Sequence, residues 1–333
     1  MEGGSVVHNQ ILSLADKETQ DAPLVAGLGG CVATDITCLR GVPAATLVAL
    51  CIPPATTGCN PNAAYSTWYV QTDPTLIVNL EPDVVPVNPY DWLQDPLHGG
   101  SPVPLLLGSD REDAAMVGIP SWCAGVALPA PQCPNDDPTT SVIDENGFDS
   151  AIHAEFDSLL TTSGSNNVVS LYPASTILDA PVWQLIAVDS DLAVGGTCAY
   201  REVARAAVGV SGAPVWRYIY THTFESNDPN VTPYRSFHSA EKYFVFGDPS
   251  FADPGNYTPT PAEFALSGQI MGYWTRFAAT GNPNGAQATA WPAYDATTDP
   301  MLQIDDLSVQ INGYRTQQCD FYDANSTVLS TVQ

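Results

Sequence analysis

The sequence predicts an α/β fold, because two short apolar segments with the character of buried strands are separated by segments of helical character. The first strand is predicted over 104–109 (PLLLGS), where an apolar run is closed by glycine and serine. The second is predicted over 214–221 (PVWRYIYT), which is rich in β-branched and aromatic residues. Strands of this kind are typical of a parallel sheet covered on both faces.

Helices are predicted between and after these strands. Three helical segments, around 147–161, over 176–188 and over 199–207, separate the two strands, and Pro181 is expected to start or kink the middle one. A longer amphipathic helix is predicted over 261–280. A proline suits its first turn and a glycine follows its last residue, which are the preferred positions of these two residues at helix ends.

The chain is strongly acidic. Ten lysines and arginines are outnumbered by 36 aspartates and glutamates, which gives a formal net charge of −26 over 333 residues. A field of this sign repels a phosphate backbone, so we expect no nucleic-acid partner. No run of 18 uncharged apolar residues occurs, so we expect no membrane span. The acidity indicates a solubilising surface, with steering of cationic substrates as the alternative.

Eight cysteines indicate disulfide bonds and therefore an extracellular or secreted protein. Buried free thiols in a cytosolic protein are the alternative. Neither CxxC-type spacing nor interleaved histidines occur, so the sequence indicates no zinc site and we expect no metal. Six of the cysteines form close pairs along the chain: Cys31 with Cys38, Cys51 with Cys59, and Cys123 with Cys133. The other two, Cys198 and Cys319, are far from any other cysteine in sequence.

Charged and polar residues follow both predicted strands. The segment DRED (110–113) comes directly after the first strand, and SFHSAEKYFVFG (236–247) follows the second beyond a loop. Sites in open α/β sheets form at the carboxyl ends of strands, so Asp113 and His238 could meet there. Such an acid would hold the imidazole tautomer while the histidine acts as general base. Taken alone, a packed or surface histidine and a solvated acid are the simpler interpretations.

Several longer motifs resemble one family. SFHSAEKYFVFG resembles the catalytic-histidine segment of type-B carboxylesterases, the group that contains cholinesterases and fungal lipases. PLLLGSDRED resembles their seventh strand and acid turn, and YWTRFAATGNPNG followed by AWPAYD resembles their C-terminal signature helix and loop. GGCVATDITCLRGVP is similar to their disulfide loop. These motifs occur in family order, so the resemblance covers nearly the whole chain and implies the C-terminal portion of an α/β-hydrolase.

The resemblance implies roles for individual residues. His238 corresponds to the catalytic histidine and Asp113 to the acid of the triad. The family usually has aspartate followed by glutamate at this turn, and here the order is reversed, so Glu112 is the alternative acid. Glu241 corresponds to a buried acid close to the histidine, where we expect it to support the site without touching substrate.

The resemblance also implies a reaction and a covalent link. The implied reaction is the hydrolysis of a small-molecule or lipid ester by a Ser-His-acid mechanism in the full-length enzyme. We expect this reaction to need no cofactor. The positions of Cys198 and Cys319 correspond to a long-range disulfide found in many members.

The serine nucleophile is missing from this sequence. Neither a Gly-x-Ser-x-Gly elbow nor a His-Gly-Gly-Gly oxyanion loop occurs. The opening MEGGS resembles the end of the family's sixth strand, so we expect residues 1–333 to form one α/β-hydrolase domain, truncated at its N-terminus. Its sheet would be incomplete, with the family's strands 7 and 8 and their flanking helices. The missing N-terminal half, with the nucleophile and the export signal, is then an expected partner, and the chain alone is expected to be inactive.

Two alternatives remain. The first is a non-catalytic, cholinesterase-like binding or adhesion protein, although the histidine and acid would then be unnecessary. The second is an independent hydrolase that uses Ser109, Ser236 or Ser239 as nucleophile, each of which is near a proposed triad residue in sequence.

Overall fold

The structure is a computed structural model that describes residues 31, 35–43, 89–94, 103–115, 143–175, 178–192, 196–210, 212–286 and 288–329. The chain divides into two compact units. One is Asn9–Asp91, and the other comprises Met1–His8 and Trp92–Gln333. Along the chain the helices are α1 (Ile36–Gly41), α2 (Pro89–Gln94), α3 (Glu145–Leu171), α4 (Pro181–Leu192), α5 (Thr197–Val210), α6 (Ala240–Val245), α7 (Pro261–Thr280) and α8 (Thr316–Leu329), and the strands are β1 (Leu105–Asp110), β2 (Val215–Tyr220), β3 (Pro300–Ile304) and β4 (Val309–Asn312).

The smaller unit contains helix α1 and a disulfide that closes a short loop. Cys31 and Cys38 are bonded, with their Cα atoms 5.6 Å apart, which confirms that this close pair is a disulfide. The backbone N–H of Cys38 donates to the carboxylate of Asp35 at 2.9 Å, so the first turn of the helix is capped from the same loop.

Two further cysteine pairs predicted from the sequence lie outside the described residues. One is the pair of Cys51 and Cys59, and the other is the pair of Cys123 and Cys133. The disulfides expected at Cys51, Cys59, Cys123 and Cys133 therefore stay predictions, whereas the other four cysteines are bonded in the structure.

The larger unit is built on a mixed four-stranded sheet of order β1-β2-β3-β4. The first three strands are parallel, and β4 is antiparallel to β3. Leu105 is in register with Val215, and Tyr220 with Ile304, so the three parallel strands end at one edge of the sheet. Every residue of β2 is buried, as expected for a central strand covered on both faces. Both predicted strands are present within a residue of their predicted limits.

The helices begin and end where local chemistry dictates. Helix α3 extends well past the predicted 147–161, although Thr161 has a positive φ of 67° that kinks it. Helix α4 begins at Pro181 rather than at residue 176, because proline lacks the N–H that an interior position needs. Helix α7 has the predicted limits, and Thr260 and Glu263 form a capping box at its start. Gly281 ends it with a left-handed φ of 74°.

Buried charges connect the sheet to helix α5. Arg217, on β2, pairs with the carboxylate of Asp299, which lies directly before β3. Arg201, on α5, approaches the other oxygen of the same carboxylate at 3.4 Å. Removing one partner of a buried pair typically costs about 3–5 kcal/mol, because the remaining charge stays in a low-dielectric setting. Asp299 therefore fixes the approach to β3 against two elements at once.

Helix α5 is also joined covalently to α8. Cys198 and Cys319 form a disulfide across 121 residues, with Cα atoms 4.8 Å apart, as the resemblance implied. None of the helices in the described parts of the chain combines the length and the hydropathy that a membrane span requires.

We expect the two observed disulfides to contribute unequally to stability. Removing the long-range bond in a Cys198→Ala, Cys319→Ala double variant should lower the free energy of unfolding by about 5 kcal/mol, because the closed loop is long. The Cys31→Ala, Cys38→Ala double variant should lose only about 2 kcal/mol. Urea denaturation followed by tryptophan fluorescence measures both losses. An equal or larger loss for the short loop would contradict the prediction.

Candidate active site

The acid turn leaves β1 at the carboxyl edge of the sheet. Asp110, the last residue of the strand, is almost fully buried. The N–H of Arg111 donates to the carbonyl of Tyr220 at 2.9 Å, which holds the start of the turn against the end of β2. The Arg111 side chain reaches forward to the carboxylate of Glu112 at 2.6 Å. Both the backbone and the side chain of Arg111 are therefore hydrogen-bonded before the chain reaches Asp113.

Glu112 joins this turn to the loop that carries His238. Its N–H donates to the carbonyl of Ser236 at 3.2 Å, and the Ser236 N–H donates to Glu112 Oε2 at 3.3 Å. The Ser236 hydroxyl also bonds Glu112 Oε2. Because Ser236 and Arg111 occupy this carboxylate, Glu112 is directed toward the loop backbone rather than toward the imidazole.

Asp113 and His238 meet in two places. The His238 N–H donates to the Asp113 carbonyl at 3.1 Å, and His238 Nδ1 lies 3.1 Å from Asp113 Oδ1. An ionised carboxylate only accepts, so this second bond requires the proton on Nδ1. The two side chains are 29% and 18% exposed, which leaves the ring accessible from one side. Of the two candidate acids, Asp113 is the one beside the imidazole.

The surroundings make His238 a stronger base than a free imidazole. The hydrogen bond with Asp113 raises the pKa of His238, and the negative charges of Asp113 and Glu241 add to that rise. Partial burial opposes them without cancelling the effect. The imidazole therefore holds a proton more readily at neutral pH than an isolated histidine does.

Two buried acids lie beside the histidine loop. Glu241 accepts from the hydroxyl of Tyr218 at 3.3 Å, and Asp110 accepts from the N–H of Ser239 at 3.0 Å. Burial first, and then the charges of Glu241 and Asp113, raises the pKa of Asp110 well above its ordinary value. Ser239 has a positive φ of 65°, and its bond to Asp110 helps to hold this strained backbone conformation directly after His238. The sequence singles out Glu241 but not Asp110, which the sequence shows only as one of several acids that follow the predicted strand.

Two of the three serines considered as alternative nucleophiles have hydroxyl groups in contact with other side chains. The Ser109 hydroxyl is 3.0 Å from the hydroxyl of Thr197, the first residue of α5, and both residues are buried. The Ser236 hydroxyl is engaged by Glu112, and the Ser239 N–H by a buried aspartate. The described contacts therefore assign Ser109 and Ser236 structural partners.

Comparison with solved structures defines the class of fold. A PNB esterase matches with a TM-score of 0.59 at 21% identity, over 96% of this chain and 56% of that one. At this identity the likeness concerns the fold alone, and it gives an α/β-hydrolase-like fold. The mixed sheet with flanking helices is consistent with that class.

Comparison of sequences defines the family. The carboxylesterase family model matches residues 1–322, and the chain belongs to that family. Carboxylesterase 5A of Felis catus is 31% identical over 213 residues, covering 55% of this chain and 37% of the cat protein. A medium-chain fatty acyl-CoA hydrolase precursor of Anas platyrhynchos is 41% identical over 97 residues, covering 28% of this chain and 16% of the duck protein. The chain thus matches well under half the length of these relatives.

We expect an Asp113→Asn variant to lower the pKa of His238, because it removes the strongest of the influences that raise it. NMR titration of the imidazole Cε1–H, assigned with a His238→Gln variant, measures the change. Glu112→Gln is the matched control, since that carboxylate bonds Ser236 and Arg111 instead. A larger fall in the control than in Asp113→Asn would show that Glu112 is the partner acid.

Proposed function

We propose that this chain supplies the acid and the histidine of a carboxylic-ester hydrolase whose nucleophile is a serine. The supporting observation is the hydrogen bond of 3.1 Å between His238 Nδ1 and Asp113 Oδ1 at the carboxyl edge of parallel strands. Family membership supports the reaction class. Asp113 is the proposed acid, Glu112 tethers the loop, and Glu241 supports the histidine through charge.

The proposed roles follow from the proton positions. With Nδ1–H donated to Asp113, the Nε2 lone pair of His238 accepts the proton of the serine hydroxyl as its oxygen attacks the ester carbonyl. Asp113 stabilises the imidazolium that results. When the carbonyl re-forms, Nε2–H protonates the departing alcohol, and a water molecule then repeats the sequence to release the acid and free the serine.

The nucleophile and the oxyanion donors are proposed to come from outside these 333 residues. No Gly-x-Ser-x-Gly or His-Gly-Gly-Gly segment occurs in the sequence. Without the serine no acyl-enzyme forms, and each lost oxyanion donor removes about 3–4 kcal/mol of transition-state stabilisation. The chain by itself is therefore proposed to be inactive.

The proposed substrate is a small-molecule or lipid carboxylic ester, in line with the family. Disulfides such as Cys198–Cys319 persist in oxidising compartments, which supports an extracellular or secreted location.

Hydrolysis of a p-nitrophenyl ester tests this proposal. The 333-residue chain should give no turnover above buffer, and a gene product extended upstream through a Gly-x-Ser-x-Gly elbow should be active and inhibited by a serine-directed phosphonate. In the extended protein, His238→Ala should lower kcat by roughly a million-fold and Asp113→Asn by roughly ten-thousand-fold. The matched control Asp157→Asn removes an exposed acid on α3 and should leave kcat unchanged.

Phosphonate-sensitive turnover by the 333-residue chain would contradict the proposal and favour an internal serine. An extended product without activity that retains a protein partner in pull-down would favour the binding protein instead.

A further inference from the structure

A second histidine stands at the same carboxyl edge, among acids that the proposed reaction does not use. His222 follows β2 by two residues, and Asp305 and Asp306 follow β3 directly. Because β2 and β3 are parallel neighbours, these residues leave the sheet side by side. Their ligand atoms lie within 4.8 Å of one another, and within the described parts of the chain this is the one group of three metal-binding side chains so placed.

The imidazole of His222 is buried and held in one orientation. Its side chain is 1% exposed, and its ring packs edge-on against Phe244 with ring centres 5.1 Å apart. Nδ1 lies 2.8 Å from Asp306 Oδ1 and 3.8 Å from Asp305 Oδ1. Nε2 points the other way, 3.3 Å from Glu263 Oε1. One ring nitrogen therefore faces two carboxylates, while the other has a partner of its own.

Glu263 is a fixed acceptor for that second nitrogen. It is buried at the start of α7, and it accepts backbone N–H groups of Thr260 at 2.7 Å and Glu225 at 3.2 Å, together with the hydroxyl of Tyr257. Burial alone would raise the pKa of Glu263, but hydrogen bonds led by those from His222 and Tyr257 lower it to about 2. A histidine that binds a metal through one ring nitrogen usually donates the N–H of the other ring nitrogen to a carboxylate, which fixes the orientation of the ring.

Among the groups that the described residues place around His222, negative charge outweighs positive charge. Besides Glu263, Asp305 and Asp306, the side chain of Glu225 acts on the site through its charge. The like charges of Glu225 and Asp305 repel that of Asp306. Even a protonated imidazole offers one positive charge against four carboxylates. A divalent cation between the carboxylates would relieve this repulsion.

We propose that His222 Nδ1, Asp305 and Asp306 bind a zinc ion, with Glu263 supporting the histidine from outside the ligand shell. Tetrahedral zinc ligands at about 2.0–2.1 Å from the ion lie about 3.3 Å from one another. The two separations from Nδ1, 2.8 Å and 3.8 Å, bracket that value. An imidazole with two carboxylates suits zinc better than calcium or magnesium, which prefer oxygen ligands throughout.

Two hydrogen bonds fix the orientation of the Asp305 carboxylate. Asp305 Oδ2 accepts from the hydroxyl of Thr221 at 2.7 Å, and Oδ1 accepts from the N–H of Asp306 at 2.9 Å. The ion would join the segments that follow β2 and β3, and it would stabilise the folded chain by an amount that grows with the logarithm of the free zinc concentration once that exceeds Kd. This site is separate from the His238–Asp113 pair, so it does not depend on the proposed esterase reaction.

A proton competes with zinc for the same nitrogen. Burial lowers the pKa of His222, but the carboxylates that face the ring, Asp305 and Glu263 first, outweigh it and raise the pKa to about 9. The titration is therefore best run at about pH 8, where less free energy is needed to displace the proton than in acid.

The test is calorimetric titration of zinc chloride into the full chain, with bound zinc counted by elemental analysis after dialysis. We expect zinc to bind and to raise the melting temperature. Asp306→Asn, at a residue whose side chain is 53% exposed, should weaken binding by roughly tenfold or more, and Glu263→Gln by about 10–100-fold. The matched control is a His153→Ala, Asp157→Asn double variant, which removes an exposed His–Asp pair at 2.9 Å on α3 and should leave zinc affinity unchanged.

Absence of binding, or an affinity that Asp306→Asn and Asp305→Asn both leave unchanged, would overturn the proposal. Loss of zinc in the control that lacks His153 and Asp157 would assign the ion to α3 and would also overturn it. If Asp305→Asn unfolds the chain, the exposed Asp306→Asn variant still decides the outcome. Zinc-edge X-ray absorption should show one imidazole nitrogen among oxygen ligands. None of these readouts uses esterase activity, so the two proposals fail independently.

Discussion

The candidate active site depends on the reciprocal hydrogen bonds between Glu112 and Ser236, which are 124 residues apart in sequence. Each residue donates its backbone N–H to the other, so the acid turn and the histidine loop are held at a fixed separation. The hydrogen bond from the His238 N–H to the Asp113 carbonyl is a further link between the same two segments. Contacts this distant in sequence close a long loop, and they are stable only because β1 and β2 are already paired in parallel.

The same edge of the sheet concentrates negative charge, and two histidines offset part of it. The chain carries only two lysines, Lys17 and Lys242, among 333 residues. Both His222 and His238 have raised pKa values because carboxylates surround them. In a protein with a net charge of −26, a histidine close to acids thus becomes a local counter-charge as well as a base.

The sequence predicts those parts of the fold whose signals are local. Both apolar strands are found where their composition placed them, and the capped helix over 261–280 has its predicted limits. Strand β3 is missed because five residues with one polar member carry little pattern, and β4 because most of it is exposed. Helix α3 is underestimated because residues 161–167 (TTSGSNN) are weak helix formers, although the helix resumes after the positive φ at Thr161.

The residues of the two sites also differ in how far the sequence predicts them. His238, Asp113 and Glu241 belong to motifs with a recognisable spacing, so the sequence singles them out. His222 has no such motif, since its partners come from the segment after β3 and from α7, which are distant in sequence. Asp110 is indicated by burial rather than by residue pattern, because only the folded chain shows that a strand-end aspartate lies beside Glu241.

The reversed order of Glu112 and Asp113 raises a question of reach, since aspartate is one methylene shorter than glutamate. The position of the backbone compensates for the shorter side chain. The His238 N–H donates directly to the Asp113 carbonyl at 3.1 Å, so the two main chains approach more closely than side-chain contact alone would require. From that position the shorter carboxylate still comes within 3.1 Å of Nδ1. The longer Glu112 side chain is directed into the loop, where it bonds Ser236. With aspartate rather than glutamate at position 113, the side chain beside the imidazole is shorter. Its carboxylate still reaches hydrogen-bonding distance of Nδ1, because the backbone of the turn is itself hydrogen-bonded to His238.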